Sequence, residues 1–262
     1  MKTQEYNFIK YKVKQLLQID LNAYKSPQMQ RRLNTYLLRS GYANWPSFFR
    51  AIQTDSVRLG EFRNYLTINV SSFFRDTDKF ESLRTIVLPD LLKKRARLRV
   101  WSAGCSYGYE PFSLGMLLSE ATSPFANHFI LATDIDSSAL AFARKGGPYT
   151  ADKVTNISPL FLKRYFKQKD EGYYVIDSLL RKITFKHHNL LEDVFESQLD
   201  LIVCRNVVIY FSTEIKNRLY HQFCEALRPG GILFVGSTEV LPHTAQLGFE
   251  PVGISFYRRK LE

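Results

Sequence analysis

The stretch Leu98 to Glu110, Leu-Arg-Val-Trp-Ser-Ala-Gly-Cys-Ser-Tyr-Gly-Tyr-Glu, constrains the fold more than any other part of the chain. Leu98, Val100 and Trp101 suit a buried strand, and Gly104 and Gly108 let the backbone turn tightly and approach a ligand without Cβ interference. Pro111 then sits where a first helical turn tolerates it, and Phe112, Leu114, Met116, Leu117 and Leu118 supply an apolar helix. Strand, Gly-x-x-x-Gly and helix in succession read as a nucleotide-type cofactor loop or as a tight strand-to-helix connection. The pattern departs from the Gly-x-Gly-x-x-Gly of dinucleotide sites, so a pyrophosphate on the helix N-terminus is not the expected ligand.

The next strand, Phe129 to Thr133, ends in Asp134-Ile135-Asp136 and precedes a helical stretch from Ser138 to Lys145. A carboxylate just past the second strand of such a unit can accept hydrogen bonds from ribose hydroxyls. Asp134 follows Gly104 by 30 positions, against roughly 20 in dinucleotide enzymes. That favours a nucleoside without a pyrophosphate. Asp134 takes the ligand role, and Asp136 has an alternative as helix N-cap.

A chain of 262 residues with 45% apolar residues can bury one large or two modest cores. It lacks an apolar run of membrane-spanning length, and Met1 to Tyr6 contains no secretory apolar region, so a cytoplasmic, not membrane-inserted, protein is expected. Cys105, Cys204 and Cys224 are odd in number and widely spaced, which indicates reduced thiols and neither a disulfide framework nor a zinc site. His187 and His188 point to opposite faces of a strand, so they are structural and no metal is expected. The net charge of +11 is uneven. Residues 1–99 hold 19 Lys and Arg against 8 Asp and Glu, which leaves 17 of each sign beyond. A basic N-terminal part suits an acidic protein surface or a nucleic-acid backbone, or else is a solvated surface that aids solubility.

Residues 5–66 show helical periodicity in four short segments, with Ser40-Gly41 ending the second and Trp45-Pro46 opening the third. Arg31, Arg32 and Arg39 add basic groups outside the apolar stripe of the second, a candidate docking surface. In Leu66 to Asp76, Asn69, Ser71 and Arg75 converge on a ligand if the segment is extended; alternatively Asn69 and Ser71 cap a helix and Arg75 pairs with Asp76 or Asp78. A linker helix covers about Lys79 to Lys94. Beyond Gly146-Gly147-Pro148 lies a stretch without βα pattern, with a short helix at Pro159 to Phe166 and a strand at Gly172 to Ile176. Strands resume at Lys182 to His187 and Asp200 to Cys204, followed by a helix from Thr213 to Leu227 stopped by Arg228-Pro229-Gly230-Gly231, a strand Ile232 to Val235, and a closing antiparallel pair within Phe249 to Tyr257. The expectation is an α/β fold: a helical domain at 1–76, a linker helix at 77–97, and at 98–262 a mostly parallel doubly wound sheet with a small insertion at about 147–181.

Six blocks in order resemble the chemoreceptor glutamate methyltransferases of the CheR type: Asn69 to Arg75, Arg99 to Pro111, Ala132 to Asp136, Asn189-Leu190, Cys204 to Phe211 and Gly236 to Glu239. The resemblance covers nearly the whole chain and implies a Rossmann-like class I methyltransferase domain that uses S-adenosylmethionine, without metal, and releases S-adenosylhomocysteine. It implies cofactor contacts at Asn69, Ser71, Arg75, Gly104, Glu110, Asp134, Asn189, Leu190, Asn206 and Val207, and a place at the methyl-transfer site for Tyr210. It also implies as partner the cytoplasmic helical bundle of chemoreceptors, here without a C-terminal tether peptide, and no nucleic acid. In relatives the loop reads Ser-Thr-Gly-Glu-Glu-Pro, whereas Tyr107 and Tyr109 replace the Thr and the first Glu here. Two other readings stand beside this one: a nucleic-acid methyltransferase, and a weakly active cofactor-binding regulatory protein.

Overall fold

Apolar residues at helical spacing in the first quarter of the chain build four helices: α1 (Thr3–Leu17), α2 (Ser26–Ser40), α3 (Trp45–Ile52) and α4 (Ser56–Thr67). The computed structural model describes residues 1–67, 69–123 and 126–261. These form two compact units, one of Met1–Asn69 with Tyr210–Lys216 and one of Val70–Ile209 with Asn217–Glu262. In the helical unit Asn44 caps α3 by accepting from Ser47 N at 3.0 Å, with Pro46 in the first turn. Its core is aromatic: Trp45, Phe48, Phe49 and Phe62 are all buried, with Trp45 and Phe48 edge to face at 5.4 Å. The segment from Tyr210 is stitched on by backbone bonds, Lys25 N to Tyr210 O at 3.0 Å and Ser212 N to Ala23 O at 2.9 Å.

In the larger unit α5 (Thr77–Ser82), a π-helical segment Leu83–Val87 and α6 (Leu88–Lys94) run in sequence into β1 (Arg99–Ala103). There follow α7 (Tyr109–Ala121), β2 (Phe129–Asp134), α8 (Ser137–Lys145), α9 (Pro159–Tyr165), β3 (Phe166–Lys169), β4 (Gly172–Val175), α10 (Asp177–Leu180), β5 (Ile183–His187) and β6 (Leu199–Cys204). A 3₁₀ turn at Val208–Tyr210 leads to α11 (Thr213–Ala226), and β7 (Leu227–Val235), β8 (Phe249–Gly253) and β9 (Phe256–Arg259) close the chain. Among the described residues the main sheet has the order β5-β2-β1-β6-β7-β9-β8, parallel from β5 to β7 and antiparallel at β9 and β8. The central strands are near-continuous apolar runs because helices cover both faces, as the fully buried β6, Leu-Asp-Leu-Ile-Val-Cys, illustrates. The insertion is an antiparallel hairpin, β3 with β4.

The strand that ends in Val235 begins earlier than its sequence suggests. The helix stops as expected, α11 ending at Ala226, but Arg228-Pro229-Gly230-Gly231 already belongs to the bulged start of β7, where pairing shifts between Leu199↔Leu227 and Leu201↔Ile232. At the same end of the sheet Asp200, wholly buried, accepts from Arg99 N at 2.7 Å and from Arg228 Nε.

Asp136 caps α8, its Oδ1 accepting from Ser138 N at 2.9 Å and Ala139 N at 3.1 Å. Asp136→Ala is expected to lower the unfolding free energy by about 1 kcal/mol. Chemical denaturation checks this, with a lower midpoint at unchanged slope as the expected result.

Candidate functional site

A parallel sheet presents its ligand groups beyond the carboxyl ends of its strands. Here the ends of β1, β2, β6 and β7 are joined by side chains. The turn after β1 is clasped to β2: Gly104 N and Cys105 N both donate to Thr133 O, at 2.8 and 2.9 Å. Gly104 has φ +86°, and a Cβ there would lie 2.4 Å from Val207 Cγ2, so only glycine lets the two loops meet. Gly108, at φ +89°, starts α7.

Asp134 at the tip of β2 is buried. Its Oδ2 accepts from Ser106 N at 2.7 Å and its Oδ1 from Asp136 N at 2.9 Å. Burial raises this carboxyl, opposed by those backbone donors. His188 N donates to Asp134 O at 3.0 Å, which draws Asn189 and Leu190 toward the same strand tip. Asn189 is itself held by Leu191 N on its Oδ1 at 3.1 Å and by its own N–H to Asp193 Oδ2 at 2.8 Å.

Glu110, in the first turn of α7, reaches back to β1, where Ser102 Oγ donates to its Oε1 at 2.7 Å. Its side chain is 12% exposed. Burial pushes the carboxyl up to about 7, against the pull of Arg205 and of the Ser102 hydroxyl. Beyond β6, Asn206 adopts φ +59°. One carboxylate shapes this turn: Glu239 accepts from Asn206 N at 2.9 Å, Ile209 N at 3.2 Å and Gly236 N at 2.6 Å.

The segment before α5 is pinned by Phe74 N, which donates to Ser113 Oγ of α7 at 3.0 Å. Arg75 Nη1 donates to Val70 O at 2.9 Å, while Asp76 pairs with Arg205 and Asp78 with Lys79, so Arg75 forms neither of the carboxylate pairs open to it in sequence. Ser71 lies half-buried in this segment. The larger unit therefore gathers Gly104, Glu110, Asp134, Asn189, Leu190, Asn206 and Val207 around four strand ends, with Ser71 and Arg75 on the segment tied to α7. Asn69 and Tyr210 belong to the helical unit. Asn69 Nδ2 donates to Thr67 Oγ1 at 3.1 Å, and Tyr210 is half-buried.

Tyr107 and Tyr109 fill an aromatic cluster. Tyr109 is buried edge to face with Phe73 at 5.0 Å, and Tyr107 packs on Phe142 at 5.3 Å while its carbonyl accepts from Tyr149 Oη at 2.6 Å. His188 is buried against Trp101, ring centroids 5.5 Å apart. The three cysteines are buried and form no disulfide, and among the described residues no group of three His, Cys, Asp or Glu is placed to hold a metal. Arg31 and Arg39 are exposed on α2. Arg32 is not: its Nη2 donates to Tyr65 O and its guanidinium lies 4.6 Å from the Tyr65 ring centre.

Three residues that organise the site, Ser102, Arg205 and Glu239, were not among the sequence candidates. They lie inside or beside the motif blocks, but contacts that span 33 positions, as from Asn206 to Glu239, leave no periodic trace.

Two family models match. One, described as the SAM-binding domain of CheR methyltransferase, covers residues 69–257, and one described as its all-alpha domain covers residues 4–67. The chain is 39% identical over 256 residues to a chemotaxis protein methyltransferase of Listeria monocytogenes and 36% identical over 256 residues to one of Listeria innocua, with 97% of each chain covered in both cases. It is 36% identical over 233 residues to chemotaxis protein methyltransferase 1 of Pseudomonas aeruginosa, with 85% of each chain covered.

The residues present fit S-adenosylmethionine, the cofactor of the matched domain. The nearly dry Glu110 carboxylate suits an ammonium, Asp134 suits vicinal hydroxyls, and Asn206 Oδ1 is a buried acceptor without a hydrogen-bond partner among the described residues, which suits an amino group. Motif order, sheet topology, the largely buried carboxylates of Glu110 and Asp134 and matches over both parts of the chain agree: this chain belongs to the CheR methyltransferase family.

Proposed function

We propose that the chain methylates glutamate side-chain carboxylates on the cytoplasmic helical bundle of chemoreceptors, forming methyl esters, and does so in the cytoplasm without a receptor tether peptide. The observation that carries this reading is a pair of largely buried carboxylates in a chain of this family: Glu110 at the start of α7, held by Ser102 of β1, and Asp134 at the tip of β2, the strand that pairs with β1. Glu110 would hold the ammonium of S-adenosylmethionine and Arg75 its carboxylate. Asp134 would hold the ribose, Gly104 would leave room beside it, and Asn189, Leu190, Asn206 and Val207 would frame the adenine. Asn69 and Ser71 would complete the cofactor contacts. When bound, the cofactor supplies an electrophilic methyl carbon. A glutamate with an ordinary pKa near 4.3 is ionised at neutral pH, so no residue of the chain has to act as general base. What the chain contributes is alignment and exclusion of water, and Tyr210 would orient the substrate carboxylate by hydrogen bonding. The product has lost one negative charge, a change that a receptor bundle can read directly.

Transfer of labelled methyl to receptor fragments, followed by mild base, tests the chemistry. Release of the label as methanol is expected. Label that survives base, or that appears on nucleic acid, would overturn it.

Basic groups on α2 favour docking on an acidic bundle. Arg31 and Arg39 are free to serve, whereas reversing Arg32 would also break the Tyr65 packing. Arg31→Glu with Arg39→Glu is expected to slow methyl transfer to receptor fragments about tenfold at low ionic strength, and the difference should shrink as salt screens the contact. Initial rates along a salt series check this, and equal rates for parent and variant at low salt would remove the docking role.

A further inference from the structure

Immediately after β6 the chain places Arg205, whose side chain is only 2% exposed. A buried guanidinium cannot shed its proton, so its charge must be balanced by partners at hand. Arg205 Nη2 lies 2.6 Å from Asp76 Oδ2 and Nη1 lies 4.0 Å from Glu110 Oε2. Its planar group is packed on two rings, 4.7 Å from the centre of Phe234 and 5.3 Å from that of Phe80. Ser237 Oγ donates to the same Asp76 oxygen at 2.8 Å. Asp76 stands in the left-handed region at φ +58°, and its carbonyl accepts from Lys79 N and Phe80 N, so it fixes the turn that carries Arg75 into α5.

We infer that Arg205 is a positioning residue for the amino-acid end of the cofactor: its guanidinium locks the Asp76 turn that presents Arg75 and sets the charge balance around Glu110. One cation against two carboxylates leaves a single negative charge, which is the charge an ammonium neutralises. Without Arg205, the nearly buried Glu110 would lose the cation that most favours its charged form, and the turn at Asp76 would lose its ion pair. The other groups around Glu110 do not replace it. Glu239 repels it, the Ser102 hydroxyl hydrogen-bonds to it, Arg75 is a weaker influence than Arg205, and burial keeps the neighbouring Cys105 and Cys204 thiols neutral. This inference rests on Glu110 as the partner of the cofactor's ammonium.

The test uses the full chain with two readouts: calorimetry with S-adenosylhomocysteine across a pH series, and carbon-13 titration of the Glu110 carboxyl in ligand-free protein. In Arg205→Met the Glu110 midpoint is expected to rise by about one pH unit or more and the Kd at neutral pH to rise about tenfold. In Asp76→Asn the midpoint is expected to fall, because the guanidinium no longer divides its charge between two carboxylates. Opposite shifts in the two variants are a signature that loss of packing alone would not produce. If both fold and leave the midpoint at the parent value, the inference is overturned. If Arg205→Met does not fold, the direction in Asp76→Asn decides alone, a fall supporting it and no change overturning it. A parent protein that takes up no S-adenosylhomocysteine would instead sink the cofactor reading, while the titration would still judge the charge cluster.

Discussion

Glu110→Gln is expected to weaken S-adenosylmethionine binding about 100-fold at pH 8, close to 3 kcal/mol, because it removes the charged half of a charge-assisted hydrogen bond in a nearly dry site. The same change is expected to stabilise the ligand-free protein. The Glu110 carboxyl sits at about 7 in the folded chain, above its ordinary value near 4.3. The folded state therefore binds this proton more tightly than the unfolded state does. The stability it contributes is complete below the ordinary value and is lost as pH climbs from there to about 7, a loss on the order of 3 kcal/mol. Glutamine carries no charge to bury and escapes that loss. Cofactor affinity in the parent should in turn fall about tenfold per pH unit below 7, and the variant should show a flat profile over the same range. Calorimetric titration with the cofactor, paired with thermal melts at pH 5 and pH 8, checks both halves. A variant that binds like the parent, or an affinity that does not respond to pH, would remove Glu110 from the ammonium site.

Asp200→Ala is expected to destabilise the fold by about 3–5 kcal/mol, the cost of stranding a buried charge. Asp200 is wholly buried and holds both Arg99 N, opening β1, and the Arg228 guanidinium, near the start of β7. The alanine leaves a cation and a backbone donor facing apolar surroundings. These groups lie at the amino ends of the strands, away from the ligand groups. Cofactor affinity per folded molecule should therefore stay within about twofold of the parent, as expected for well-separated positions. Denaturation with calorimetry on the folded fraction separates the two effects. An equal fall in affinity and stability would mean that the two sheet ends are coupled.

What was legible in the sequence followed from local rules. The strand-turn-helix at Leu98 to Ala121, the four N-terminal helices and the alternation that makes the sheet mostly parallel all arise from periodicity and turn residues close in the chain. The Asp136 cap is equally local. Pro229-Gly230-Gly231 is a helix stop by every local sign, and α11 does end just before it; that the same residues also form the bulged start of β7 depends on pairing with a neighbouring strand, which local signals do not carry. The partner strand of the insertion hairpin, Phe-Lys-Gln-Lys, is too short and too polar to stand out from the end of α9. Arg75 shows the limit of pairing by proximity: Asp76 and Asp78 were near in sequence, but Asp76 is taken by Arg205, 129 positions away. The residues that arrange the site act across such separations, so their chemistry was visible while their partners were not.

The gathering of three backbone amides by Glu239 has a consequence for how a ligand enters. Asn206 is held in its left-handed conformation by bonds internal to the protein, so the loop keeps that shape without help from a ligand. A guest that finds the receptacle already moulded forfeits little chain freedom on arrival, so its uptake should be rapid and its affinity should come mainly from the contacts it makes.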